Sequence, residues 1–151
     1  MIEPVEFTAR PEGWFAVEGG AAAAAAAFVA GQVSLLVAAG DDLQHSWGAA
    51  SMSSLAIALG AGLWALFVGL VARAVLTRLA VWERSVQERG FAVLHVVAIG
   101  TAVPWIVLSL VLGSWQATTI TIVVAVLSGA AAGWFAARHI WEDEHRQALA
   151  R

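Results

Sequence analysis

The sequence predicts an all-α integral membrane protein, a bundle of four transmembrane helices in antiparallel up-down order with both termini in the cytoplasm. Three observations lead there. First, 60% of the residues are hydrophobic and only 13% are charged, with a mean hydropathy of +0.78, whereas a soluble domain runs near one half and one quarter. Second, the apolar residues gather in four stretches, 20–40, 53–76, 91–113 and 119–140. Each has about 20 residues, which at a rise of about 1.5 Å per residue crosses a hydrocarbon core of about 30 Å. Third, all eight basic residues are arginines and all lie on one side of these stretches.

Backbone groups find no water in lipid, so each stretch must close its own hydrogen bonds as a helix. The chain is then a single membrane domain, 1–151, with a cytoplasmic segment at 1–19 and a cytoplasmic tail at 141–151. Arg10 precedes the first span, Arg73, Arg78, Arg84 and Arg89 cluster around the middle connector, and Arg138, Arg146 and Arg151 follow the fourth span. Excess arginine marks the cytoplasmic face, which fixes the orientation. Trp14, Trp82 and Trp141 at inner boundaries, and Trp47 and Trp115 at outer ones, have the positions of an aromatic belt.

The first span, "GGAAAAAAAFVAGQVSLLVAAG", relies on alanine and carries Gln32. Insertion is driven by Leu, Ile, Phe and Val, so this helix is expected to lean on a partner. Ala38 and Ala39 resemble a signal-peptide cleavage site, but the preceding segment is acidic where a signal peptide is basic, and retention of the span is expected. Small residues recur along it at Ala23, Ala27, Gly31, Ser34 and Ala38.

The second span repeats those steps with Ser54, Ala58, Gly62, Ala65 and Gly69, and the fourth carries Ala125, Gly129, Gly133 and Ala136. Such smooth faces let backbones approach closely, so Ala58, Gly62, Ala65, Gly69, Gly129 and Gly133 are the expected helix-packing positions, inside the bundle or between copies. Leu79, Trp82 and Val86 suggest that the second helix continues along the membrane surface. The third span is bulkier and holds Pro104, which removes one backbone hydrogen bond and predicts a kink near Gly100 and Thr101, with Trp105 filling the space. A faint repeat relates 46–59 to 114–127, four identities in fourteen positions, each leading into the second helix of a hairpin.

Chemistry is sparse. A net charge of −3 offers no basic surface for nucleic acid, and the absence of cysteine removes disulfides and thiolate sites. No Asp, Glu or Lys falls within the four stretches, which argues against carboxylate proton or cation relays. Thr101, Ser109, Thr121 and Ser128 would line a path for a neutral solute, or bond their own backbones. His95 and His139 belong to one leaflet and are candidate haem ligands, one imidazole from each of two helices; otherwise no cofactor is expected. Asp41, Asp42 and His45 would make a poor, three-ligand metal site. In "RHIWEDEHR", residues 138–146, the spacing is not that of a zinc protease; Glu142 and Arg146 pair at i, i+4, and Arg138 and Trp141 read as an interfacial anchor.

No nucleophile and base are placed for catalysis, so the chain is expected not to be an enzyme. The function expected is that of a structural or accessory subunit, self-associating or docked with other subunits in the lipid bilayer of the cell membrane. The alternatives are a small oligomeric channel or transporter for a neutral solute, and a haem- or quinone-associated anchor. Missing lysine beside abundant alanine, glycine and valine points to a GC-rich prokaryotic source.

Overall fold

The computed structural model describes residues 14–40, 43–79, 85–112 and 114–149. They form four helices, α1 (Trp14–Ala39), α2 (Leu43–Arg78), α3 (Val86–Leu112) and α4 (Trp115–Leu149). All four are long and apolar enough to cross a membrane. At 36 and 35 residues, α2 and α4 are each more than 50 Å long at about 1.5 Å per residue, and so outrun the bilayer core.

The helix ends have local causes. Gly40 follows α1 with a φ of 58°, a left-handed conformation that lets the chain leave the last turn and that a Cβ would strain. At the start of α3, the Ser85 hydroxyl accepts the Glu88 N–H at 3.4 Å, within an S-x-x-E pattern that signals a helix start. Ser114 caps α4 in the same way, accepting the Ala117 N–H at 3.2 Å. Because α3 begins at Val86, that residue does not extend α2. Residues 80–84 of the expected surface stripe, including Trp82, lie outside the described residues, as do residues 1–13 of the N-terminal segment.

Small residues set how near the helices come. Between α1 and α2, a Cβ placed on Gly69 would stand 2.7 Å from the Ala16 Cβ, one on Gly62 would stand 2.8 Å from the Ala24 Cβ, and Gly31 lies against Ser54. Between α3 and α4, a Cβ on Gly133 would meet the Leu94 carbonyl at 2.6 Å, and one on Gly129 the Ala98 carbonyl at 2.8 Å. Only glycine allows such backbone approach, which supplies the dispersion contacts that hold helices together in lipid. Gly19 brings α1 against Ala132 and Ala136 of α4. The contact between α2 and α3 is sparser.

Two clusters fill the interior. Phe15, the largest buried side chain among the described residues, packs with Ala72, Leu76, Val93, Val97 and Ala136 at the end of the bundle where α1 begins. Further along the bundle Ala27, Ala30, Ala61 and Val124 form a second cluster, against which Trp105 and Ile57 pack. Ala58, Ala65, Ala125 and Ala136 are all buried on these inward faces.

α3 runs unbroken across Pro104. Proline at 104 has no N–H for the carbonyl of Gly100, four residues earlier, and an orphan carbonyl in lipid is costly. The indole of Trp64 on α2 supplies the missing donor, at 2.8 Å from the Gly100 oxygen.

Candidate functional site

Membrane helices hold ionisable side chains only at a cost, so a paired one is the place to look for function. α1 begins six residues before the predicted first span, and this draws Glu18 into the helix. Its Oε1 lies 3.0 Å from Nδ1 of His139 on α4. The imidazole is buried, at 7% exposure, and whether neutral or protonated its Nδ1–H donates to a carboxylate that stays partly open to the surface. The fourth span's small face, Ala125, Gly129, Ala132, Gly133 and Ala136, leads directly to His139. Alanine and glycine opposite it let α1 approach near enough for Glu18 to reach.

One residue away on α4, Arg138 Nε donates to Glu142 Oε1 at 2.5 Å, an i, i+4 pair on the exposed side. Arg138 thus pairs within its own helix, as well as standing where an interfacial anchor belongs. Trp141 completes this end: its ring meets Phe91 of α3 edge-on with centroids 5.8 Å apart, and Trp134 at 5.9 Å. Gly90 lies directly beneath the Trp141 indole, where any Cβ would collide with the ring. The result is an aromatic clasp joining the start of α3 to the end of the α4 span.

Glu18, Arg138 and Glu142 form the mouth of a groove of about 870 Å³ that runs between α1 and α4. Its walls are Ala21, Ala22, Ala25, Ala26 and Val29 of α1, with Leu127, Ala131 and Phe135 of α4. Two carboxylates and one guanidinium therefore stand over an apolar trough whose α1 side is mostly alanine. A second, smaller groove of about 240 Å³ lies between α2 and α3, lined by Gly60, Trp64, Pro104, Trp105 and Leu108.

The two histidines singled out from the sequence have different surroundings. His95 is exposed on α3, and its Nδ1 bonds the Phe91 carbonyl of its own helix at 2.7 Å. His139 is buried against Glu18. The hydroxyls behave unevenly. Ser109, Thr121 and Ser128 are buried and donate to Ile106, Ala117 and Val124 carbonyls of their own helices. Thr101 is fully buried with its Oγ1 unbonded, as are the Ser54 Oγ and the Trp105 Nε1. Gln32, which opposed insertion of the first span, donates to Ser51 of α2 at 3.3 Å. Asp41 and Asp42, and the side chain of His45, lie outside the described residues. Among the described residues no three histidines or acids gather where they would hold a metal ion.

Sequence reasoning missed Glu18, Trp64 and the groove. Glu18 carried a signal, an acid four residues after Trp14 at the edge of an apolar run, but nothing local names its partner 121 positions later. No family model, curated protein or solved structure matches this chain.

Proposed function

We propose that this protein is a non-catalytic subunit of the cell membrane, crossing it four times in antiparallel up-down order with both termini in the cytoplasm, and that it works by docking other transmembrane helices. The orientation rests on the one-sided arginines. The up-down order is supported by helix contacts that run in opposite directions, Ala16 against Gly69 but Gly31 against Ser54. The observation that carries the docking reading is the alanine trough between α1 and α4. The outer ridges of α2 and α3 are bulkier than the α1 side of this trough: Leu59, Leu63, Phe67 and Leu70 on α2, and Ile99, Val103, Ile106 and Leu110 on α3, stand exposed as lipid-facing residues do. Lipid tails gain nothing from small residues, whereas a helix packs best on them.

Native mass spectrometry of the protein gently extracted from its own membrane tests this. A foreign subunit or additional copies in the particle is the expected result; a bare monomer at every detergent concentration would remove the docking role.

A second reading, passage of a small neutral solute, is favoured by the fully buried and unbonded hydroxyls of Thr101 and Ser54. Buried polar groups without protein partners are the usual hosts of interior water. Osmotic swelling of liposomes carrying the protein, against protein-free liposomes, separates the two: equal rates leave docking alone.

A further inference from the structure

We propose that the seam between α2 and α3 binds one acidic phospholipid, with its phosphate on Arg78 and Arg89 and an acyl tail running along the seam to the groove beside Pro104. The site is independent of the docking reading above. Charge, depth and room select this occupant.

Between α1 and α4 the charges answer one another, Arg138 with Glu142 and His139 with Glu18. Among the described residues, Arg78 and Arg89 have no acidic partner. Arg78 stands exposed in the last turn of α2. Arg89 is partly buried one turn into α3, and its Nε is sealed from water without an acceptor. Glu88, its neighbour, is exposed and forms an ion pair with neither. A shielded guanidinium without a counter-ion is costly. Its remaining N–H donors match the geometry of a phosphate, the anion that phospholipid headgroups carry, and basic pockets between membrane helices hold acidic headgroups in this way.

The two cations share a level. Leu76 of α2 and Val93 of α3 belong to one buried cluster. Arg78 lies two residues beyond Leu76 and Arg89 four residues before Val93, so both emerge at one end of the seam, about 3–6 Å past that cluster. The Trp141 ring lies on Gly90, next to Arg89, which sets this level in the aromatic belt, where headgroups stand. Room for a tail follows along the seam, where contact between the helices is sparse. A groove of about 240 Å³ opens there, walled by Trp64, Pro104, Trp105 and Leu108, with a hollow at Gly60, whose added Cβ would meet nothing within 4 Å. Fourteen residues separate Arg78 from Trp64 and fifteen separate Arg89 from Pro104, which places the groove about 20 Å from the arginines. Half of a bilayer with its headgroups is also about 20 Å, so a tail anchored at the arginines ends in the groove. The larger trough between α1 and α4 carries Glu18 and Glu142 at its mouth, and these oppose a phosphate.

Native mass spectrometry of the delipidated, detergent-solubilised protein, titrated with dioleoyl-phosphatidylglycerol and separately with dioleoyl-phosphatidylcholine, tests this. Retention of one phosphatidylglycerol per chain, at concentrations where phosphatidylcholine is not retained, is the expected result. Arg78→Gln and Arg89→Gln should each weaken that binding by about fivefold, and Arg146→Gln, at an exposed arginine of α4, should leave it unchanged. Gly60→Leu fills the hollow without displacing a neighbour at its Cβ. It should weaken the dioleoyl lipid and spare dihexanoyl-phosphatidylglycerol, whose tails stop short of the groove. Equal losses in all three arginine variants would mean attraction to surface charge at large and overturn the proposal. Equal retention of the two dioleoyl lipids would overturn it as well. Full displacement of the lipid by inorganic phosphate would overturn it in favour of a free-anion site, and wild-type binding in Gly60→Leu would remove the seam as the place of the tail.

Discussion

The seam between α3 and α4 and the seam between α2 and α3 solve one problem in opposite ways. At the first, glycines 129 and 133 bring backbone against backbone, with the Leu94 and Ala98 carbonyls under the places where a Cβ would stand. At the second, the helices stay further apart, Val68 reaches across to Gly100, and the Trp64 indole gives its N–H to the carbonyl that Pro104 left unbonded. A close seam draws its stability from many weak contacts and tolerates no added atom. An open seam draws it from a few large side chains and one directed bond, and can lose either without its helices being forced apart.

The largest effect is therefore expected at the close seam. In Gly133→Val, the new Cβ would meet the Leu94 oxygen at 2.6 Å and the Ala98 Cβ at 2.8 Å. These are a backbone atom and a short rigid side chain, so the helices themselves must separate. A loss of about 2–3 kcal/mol is expected, read from reversible unfolding of the detergent-solubilised protein in rising sodium dodecyl sulfate. Wild-type stability for this variant would mean that α3 and α4 do not pack on these glycines.

At the open seam the loss should be smaller and conditional. Trp64→Phe keeps the ring but orphans the Gly100 carbonyl, for a cost of about 1 kcal/mol, within the range of single hydrogen bonds in membrane bundles. Pro104→Ala returns an N–H to position 104, which closes the ordinary i to i−4 bond to Gly100. In that background Trp64→Phe should cost almost nothing. An equal cost in both backgrounds would show that Trp64 acts by packing, as its tilted contact with Phe67 at 5.5 Å would allow, and not by its hydrogen bond.

How much of this was visible in the sequence depends on whether the cause is local. Four helices follow from the count of apolar residues between charges, and the close approach of Gly62, Gly69, Gly129 and Gly133 follows the spacing of small residues along one face. The start of α1 at Trp14 was not visible to that count, which is broken by Glu18, whereas the run of α4 on to Leu149 agrees with reading "EDEHRQALAR" as a polar helical extension beyond the apolar stretch. The freed carbonyl at Gly100 can be deduced from Pro104 alone. Its donor cannot, because Trp64 is one of eight tryptophans and only the packing of α2 on α3 selects it. His139 was read as a possible cofactor ligand; that it faces Glu18 depends on α1 lying beside α4, a pairing of helices from the two ends of the chain.

That pair gives the next effect in size. Glu18→Ala leaves the buried His139 Nδ1 without its carboxylate, yet Glu18 is partly exposed, so water shares the loss. About 0.5–1 kcal/mol is expected, and Glu18→Gln, which keeps an oxygen acceptor, should recover most of it. If Gln is no better than Ala, the charge of Glu18 matters and the bond by itself does not.

The smallest expected effect also separates packing from helix propensity. Gly60 and Gly62 lie two residues apart on α2 and share sequence, helix and membrane depth. A Cβ on Gly60 would have no neighbour within 4 Å, whereas one on Gly62 would press on the Ala24 Cβ at 2.8 Å and the Gly20 carbonyl at 3.2 Å. Alanine relieves glycine's conformational cost equally at both sites, by at most about 0.5–1 kcal/mol. In solubilised monomer, Gly60→Ala should therefore be neutral to slightly stabilising, and Gly62→Ala destabilising, with opposite signs in the same unfolding experiment. Gains at both positions would mean that propensity outweighs approach, and that the α1–α2 seam is looser than its glycines imply. A loss at Gly62 alone assigns stability in this bundle to the distance between backbones, which the close seams depend on and the Trp64 seam does not.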